Sequence, residues 1–568
     1  MPITRVPSGR LRRIAPGLAL LGGYRREWLR FDLGAGLSVA AVALPTAIAY
    51  AQLAGFPPVV GLYAAILPLV AYAVFGTSRQ LIVNPDAAVC AMVAAIVAPL
   101  AAGNADLYVT LAVALAVFSG VACIAAGLFR LGFLADFLGK PVLVGFLNGI
   151  AISIVLGQIG KLFGFTIESG RVIPRLVEFV SKLSTTHLPT LMVGLATFVL
   201  LRGVHRFFPK LPAPMIALVA AVAVVKGFRL DLQGVMTIGA VPAGLPSLHW
   251  TRVPPELLGD LLPGAFGLAL VSFTSGMVTA RSFAARNRYD IDVDRELIAL
   301  GACNIAAGLS QGFAVTGADS RTAVNDSMGG KSQVTGLVAA ATMAIVLLFF
   351  TGPLQYLPVC ALGAVLMSAA LGLFDWKAMV RLRRIREGEL AVCVAAMLGV
   401  VTLGALQGIL LAVGLSMLVL LVRSSRPTDM VLGRVEGVPG FHNVALHEGA
   451  TQIPGLVLYR FNAPLIFFNA AYFKRRVLEF VAASPDATWL VVDGAPIVNL
   501  DSTGADTLAA LADELSASGK RLAIAGAHAR VQGMLERSGA LGRLGAGSLF
   551  PTLRAAVDAY PAKERVSK

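Results

Sequence analysis

Runs of apolar residues separated by short polar or basic connectors fill the chain from about residue 33 to residue 421. A helix needs about 17 to 25 such residues to cross a bilayer. The pattern predicts spans near 32–54, 59–75, 108–129, 142–163, 188–201 and 213–225, then near 261–280, 296–309, 334–350, 359–373, 390–403 and 409–421. Pro45 interrupts the first run, with Thr46 and Tyr50 just beyond it. A proline in mid-span frees a backbone carbonyl, and either kinks the helix or marks a wall where backbone lines a cavity.

Two stretches break the apolar pattern from inside. Leu81-Ile82-Val83-Asn84-Pro85-Asp86-Ala87-Ala88 reads as a short extended segment followed by a helix start, with Pro85 suited to the first turn and Asp86 able to cap it. Val315-Thr316-Gly317-Ala318-Asp319-Ser320-Arg321-Thr322 is richer in charge, and Asn325 and Asp326 follow. Ionisable residues at membrane depth cost roughly 2.5 to 3.5 kcal/mol each on insertion scales, so they normally face a cavity and mark a substrate or ion path.

The two breaks occupy matching places in two halves, about 32–228 and 261–423, joined by a polar, proline-rich segment around 228–260. In each half a span with a small or hydroxyl residue near its middle, Thr46 or Ser275, precedes the break by roughly 40 to 45 residues. Discontinuous helices in corresponding positions are the pattern of transporter repeats. Two half-helices whose positive N-terminal ends converge form an anion site, and Arg321 adds a permanent charge with a planar donor fork. The bland alternatives are that Arg321 pairs with Asp319 or Asp326, and that Asp86 only caps its helix.

Beyond residue 423 the pattern changes to that of a small α/β domain, 424–568 with its linker. Strands are expected at 456–461, 465–468, 489–493 and 522–525, and helices at 470–483, 504–518, 530–537 and 552–560.

Composition agrees: 57% of residues are hydrophobic, 14% are charged and the mean hydropathy is +0.77, outside the range of ordinary water-soluble domains. The net charge of +15 does not suggest nucleic acid, because the basic residues cluster between apolar runs. The arm 1–31 carries seven arginines against Glu27 and is expected in the cytoplasm, with no cleavable signal pattern. The five cysteines and six histidines are scattered, so no metal site, cofactor or disulfide is expected. The tail shows no nucleophile–base pair, so an enzyme is not expected either.

The chain resembles the SulP (sulfate permease) family of anion transporters. The resemblance rests on Leu44-Pro45-Thr46-Ala47-Ile48-Ala49-Tyr50-Ala51, Ala54-Gly55-Phe56-Pro57-Pro58-Val59-Val60-Gly61-Leu62-Tyr63, and the second break. Asp501-Ser502-Thr503-Gly504 resembles the signature loop of STAS domains. It implies an α-helical polytopic membrane protein of 14 transmembrane segments in 7+7 inverted repeats, like uracil permeases, spanning 32–423 ahead of a cytoplasmic STAS domain. It implies a homodimer in the inner membrane, both termini cytoplasmic, with a regulator possible at the STAS domain. The substrate is a small inorganic or carboxylate anion (sulfate, bicarbonate, chloride or dicarboxylate), coupled to H+ or Na+ or exchanged.

By position, Ala87, Ala88, Ser320 and Arg321 are expected to contact the anion, with Tyr50 beside it and Thr46 and Ser275 completing the set. Two departures stand out: Ser275 replaces a glutamate, and Thr46 a glutamine, that many family members carry. Asp86 and Asp319 are therefore the coupling candidates. Ser502, at an expected helix start, is either a phosphorylation site or an ordinary N-cap. Rival readings are a passive anion channel on the same fold, and a membrane receptor whose output is the STAS domain.

Overall fold

The computed structural model describes residues 15–132, 139–167, 169, 172–208, 211–247, 253–385 and 387–561, and the chain divides into two compact units, 1–416 and 417–568. The expected connector at 130–140 and the proline-rich junction fall partly outside the described residues.

The membrane unit is built from two runs of seven helices. The first comprises α1 (Leu29–Leu53), α2 (Pro58–Phe75), α3 (Ala87–Ala101), α4 (Ala105–Leu128), α5 (Lys140–Phe163), α6 (Leu188–Phe207) and α7 (Ala213–Gly227). The second comprises α8 (Leu258–Asn287), α9 (Val293–Leu309), α10 (Asp319–Ser327), α11 (Val334–Phe349), α12 (Val359–Leu373), α13 (Glu387–Leu403) and α14 (Ala405–Ser425). Among the described residues, length and composition alone qualify seven of these to cross a membrane, α1, α2, α4, α5, α6, α8 and α12. Five more are apolar over shorter stretches, and α9 and α10 carry the charges. After the fifth helix of each run comes a short amphipathic helix, Val172–Ser181 in the first and Trp376–Ile385 in the second.

Two expectations change. Pro45 does not interrupt the first helix, which runs unbroken from Leu29 to Leu53 with Pro45 inside it. The Thr46 hydroxyl donates to the Val42 carbonyl at 2.8 Å, and the segment around it is buried, so packing holds the helix through the missing amide. Pro85 lies outside α3, because Asp86, in extended conformation, is the residue that caps it.

The helices form two packing groups. α1 to α4 pack with α8, α9 and α11, whereas α5 packs on α12 and α13, and α6 on α7 and α12; α1 meets α7 and α12 where the groups touch. α4 crosses α9 closely, through facing glycines. A Cβ on Gly120 would lie 2.6 Å from the Gly301 carbonyl oxygen, and one on Gly301 would lie 2.5 Å from that of Gly120. Small residues let helix backbones approach where lipid gives no hydrophobic drive for association.

The second unit is a six-stranded sheet in the order β4-β3-β5-β6-β7-β8; β1 and β2 belong to the membrane unit and are described with the site. Its strands are β3 (Asp429–Val435), β4 (Val438–Asn443), β5 (Leu456–Phe461), β6 (Trp489–Asp493), β7 (Arg521–Ala525) and β8 (Leu549–Phe550). β5 to β8 are parallel, and β3 runs antiparallel to β4 and β5. The helices are α15 (Ala470–Ala482), α16 (Ser502–Ala517), α17 (Ala529–Arg537), α18 (Ala540–Leu544) and α19 (Leu553–Ala559). The strand expected at 465–468 is not there: only an isolated bridge joins Leu465 to Leu500. Asn469 folds this stretch into a turn, accepting from the Ile466 N–H at 3.0 Å and donating to the Pro464 carbonyl at 2.9 Å.

Candidate functional site

The two polar breaks meet inside the first packing group. β1 (Val83–Asn84) and β2 (Thr316–Gly317) pair antiparallel, Val83 with Gly317 and Asn84 with Thr316. α3 and α10 each begin within three residues of their strand, and the antiparallel pairing sends them in opposite directions with their N-terminal ends facing. Facing N-termini concentrate partial positive charge and unpaired N–H groups in one place.

Side chains fix this crossing. Asn304 of α9 grips Val315 twice, accepting from its N–H at 2.9 Å and donating to its carbonyl at 3.1 Å. The Ser272 hydroxyl of α8 donates to the same carbonyl at 2.8 Å. The Thr322 hydroxyl accepts from the Ile82 N–H at 3.0 Å, and the Ala318 N–H donates to the Ile82 carbonyl at 2.9 Å. Gly317 lies against Gly276 of α8, where a Cβ would sit 2.8 Å from the Gly276 Cα. Below, two buried carboxylates hold the connecting segments. Glu296 accepts from the Tyr72 hydroxyl (2.7 Å), from the N–H and hydroxyl of Thr77 (2.7 and 2.5 Å) and from the Ser78 N–H (3.1 Å). Asp32 accepts from the Lys331 N–H, from the N–H and hydroxyl of Ser332 and from the Thr335 hydroxyl.

Arg321 sits at the centre, wholly buried. One NH2 group donates to the Thr46 hydroxyl at 2.8 Å, the other lies 3.5 Å from the Ser320 hydroxyl, and Nε has no partner. Its guanidinium carbon stands 5.1 Å from the centre of the Tyr50 ring, a cation–π distance. Among the described residues it forms no ion pair. The two carboxylates nearest to it in sequence are engaged elsewhere, and the buried Asp86 carboxylate acts on it through space. Asp326 meets Arg286 at 3.0 Å and the Asn287 amide at 2.7 Å, and Asp319 accepts the Thr279 hydroxyl.

The structure thus joins Thr46, Tyr50, Ser320 and Arg321 by direct contact. Ala87 and Ala88 are buried at the opposite helix start, where the Asp86 carboxylate accepts from the Ala88 N–H at 3.4 Å. No side chain caps the start of α10, so its first-turn N–H groups have no side-chain acceptor. Ser275 is half buried and gives its carbonyl to the Thr279 hydroxyl at 3.1 Å; among the described residues no hydrogen bond joins its own hydroxyl to Arg321. Asp319 opens onto a cavity of about 700 Å³ between α8 and α10 on one side and α5 and the end of α12 on the other, with Thr274, Asn148 and Asp375 also on its wall. A buried cation with no carboxylate in hydrogen-bond contact, beside two helix N-termini, has the chemistry to hold an oxyanion or halide.

Residues 29–396 match the model of the sulfate permease family. The chain belongs to the sulfate permease family. Residues 449–556 match the STAS domain, so a sulfate permease unit is followed by a STAS unit, and the family is one of transporters rather than enzymes. A probable sulfate transporter of Mycobacterium tuberculosis is 41% identical over 547 residues, covering 96% of this chain and 98% of its own. The fold matches that of the murine solute carrier 26 family member A9 anion transporter in its inward-facing state, with a TM-score of 0.89 at 24% identity over 98% of this chain and 96% of that one. It also matches the transmembrane domain of a cyanobacterial bicarbonate transporter, with a TM-score of 0.62 at 26% identity over 69% of this chain and all but 1% of that one.

Sequence reasoning missed several residues of this sulfate permease site. Thr279, partner of Asp319, lies one helical turn beyond Ser275, a spacing that would have flagged it. Asn304 stands alone in an apolar run, Asp32 and Glu296 close charged stretches at the edge of one, and the partners that give them meaning are distant in sequence. In the STAS unit Asp501, not Ser502, caps α16, accepting from the Gly504 N–H at 2.8 Å; Ser502 is the first helical residue and is exposed.

Proposed function

We propose that the protein is a secondary active transporter of a small anion, sulfate, bicarbonate or a dicarboxylate, working by alternating access with the anion held between the N-termini of α3 and α10. The observation that carries this reading is the buried Arg321 guanidinium, which has one good hydrogen bond, an unpartnered Nε and, among the described residues, no carboxylate in hydrogen-bond contact. Thr46 and Tyr50 orient it, Ser320 adds a hydroxyl and a first-turn N–H group, and Ala87 and Ala88 line the opposite helix start, where the Asp86 carboxylate holds the Ala88 N–H at 3.4 Å. Such a site reads charge and size, so it binds tetrahedral or planar oxyanions through the same donors. The relatedness to a probable sulfate transporter supports sulfate as the first anion to test.

The group α1 to α4 with α8 to α11 carries the site and moves against α5 to α7 with α12 to α14, the cavity beside Asp319 being its aqueous approach. Asp86 and Asp319 are the coupling carboxylates, standing in for the missing glutamate at Ser275. The chain lies in the inner membrane as a homodimer with both termini cytoplasmic, and the STAS unit takes a regulatory partner, with Ser502 as the phosphorylation site.

The deciding experiment is uptake into proteoliposomes with a panel of labelled anions, under separately imposed proton and sodium gradients. Accumulation against a gradient is expected for one oxyanion; conductance far above carrier turnover with no counter-ion dependence would make the protein a channel. In the same assay D86N and D319N are expected to flatten the pH or sodium dependence, and a variant that keeps the wild-type dependence removes that carboxylate from coupling. Phosphate mapping of the chain isolated from its native cells is expected to find Ser502 modified, and its consistent absence ends the regulatory reading.

A further inference from the structure

The short amphipathic helices after α5 and α12 hold corresponding places in the two repeats, but their charge differs sharply. Val172–Ser181 carries one cation, Arg175, and one acid, Glu178. Trp376–Ile385 carries Lys377, Arg381, Arg383 and Arg384 and no acid. All four cations are exposed, whereas Ala378, Met379 and Leu382 turn inward against α5 and α13, in a cluster with Val144, Cys393 and Met397. The helix start is fixed: the Asp375 carboxylate accepts from the Ala378 N–H at 2.8 Å, and the Asp375 N–H donates to the Asn148 side chain of α5 at 2.8 Å.

We propose that the outer face of Trp376–Ile385 is a docking surface for anionic phospholipid headgroups of the cytoplasmic leaflet. Seven helices per repeat invert the second repeat relative to the first, so the two amphipathic helices lie at opposite membrane faces. Only the one on the side of the basic connectors carries a net charge. A helix with an apolar inner face and a cationic outer face lies in the interface plane, and the cytoplasmic leaflet supplies the negative potential. Trp376 and Ile385, 63% and 62% exposed, bracket the cations; large apolar groups at both ends suit a lipid boundary rather than a soluble anion. Because the helix packs on α5 and α13, bound lipid anchors the group that lines the far wall of the cavity.

The test uses the full chain in a neutral detergent, titrated with dioctanoyl phosphatidylglycerol, dioctanoyl phosphatidylcholine and inorganic phosphate, with binding read by native mass spectrometry. Each cation near such a surface contributes about fivefold in affinity. R381Q is expected to weaken phosphatidylglycerol binding about fivefold, and the combined K377Q, R381Q, R383Q and R384Q variant more than about 100-fold. R175Q on the other amphipathic helix is expected to leave it unchanged. Equal binding of the two lipids, wild-type affinity in the combined variant, or full displacement of phosphatidylglycerol by inorganic phosphate would overturn the proposal. These readouts involve neither Arg321 nor uptake, so they stand or fall independently of the transport assay.

Discussion

Replacing Arg321 by methionine separates a binding role from a bracing one. The guanidinium is buried with a single short hydrogen bond, to Thr46 at 2.8 Å, and an unpartnered Nε. The guanidinium makes no ion-pair contact, although the buried Asp86 carboxylate lies within its electrostatic reach, so exchange for an apolar side chain of similar size strands no hydrogen-bonded partner and is expected to leave the fold intact. With the anion present the balance reverses. Two charge-assisted hydrogen bonds contribute about 1.5 to 3 kcal/mol each, so R321M is expected to lose anion affinity by roughly a hundredfold or more.

Thermal unfolding of the purified protein across an anion titration reads both effects. In buffer free of small anions R321M should unfold near the wild-type temperature. At about 100 times its dissociation constant the anion should stabilise wild type by about 2.7 kcal/mol and R321M hardly at all. R321K, which keeps the charge but loses the planar fork, should fall between them. The reasoning fails if R321M unfolds well below wild type without anion, because Arg321 would then be a structural brace, or if the anion protects R321M as fully as wild type.

Two further outcomes follow from packing and charge elsewhere. G301A places a Cβ 2.5 Å from the Gly120 carbonyl, so the α4–α9 crossing must open; a loss of about 1 to 3 kcal/mol is expected in detergent unfolding scans, with anion KM unchanged in the folded fraction. In the STAS unit, burial and then the neighbouring Asp429 carboxylate, to which its hydroxyl donates at 2.9 Å, push the Tyr459 phenol well above its ordinary range. Above pH about 10 the unfolded chain gives up that proton while the folded one keeps it, so stability must fall as pH rises there; Y459F should remove this part of the alkaline loss in pH-dependent unfolding.

Much of this architecture is legible in the chain because a bilayer imposes a simple rule on sequence. Apolar runs long enough to cross, basic connectors and two matching polar breaks gave the helices, the division into halves and the positions of the half-helices. The tail was harder to read. The strands β3 and β4 were missed because Gly433, Pro439 and Gly440 interrupt their alternation, and 465–468 was taken for a strand because its apolar run hides the turn made by Asn469.

The sequence by itself determined that Arg321 is costly in a membrane and marks a candidate site, and that a second helix start lies at Asp86. It left open whether Arg321 was braced by Asp319 or Asp326, since both lie within five residues. Only the tertiary structure decided that, by bringing Arg286, Asn287 and Thr279 to those carboxylates and Thr46 and Tyr50, more than 270 residues away, to the guanidinium. The physical reason is that the cost of burying a charge depends on the residue alone, whereas its partner is set by which helices cross, and crossings such as Gly120 on Gly301 or Gly276 on Gly317 are fixed by contacts between residues distant in the chain.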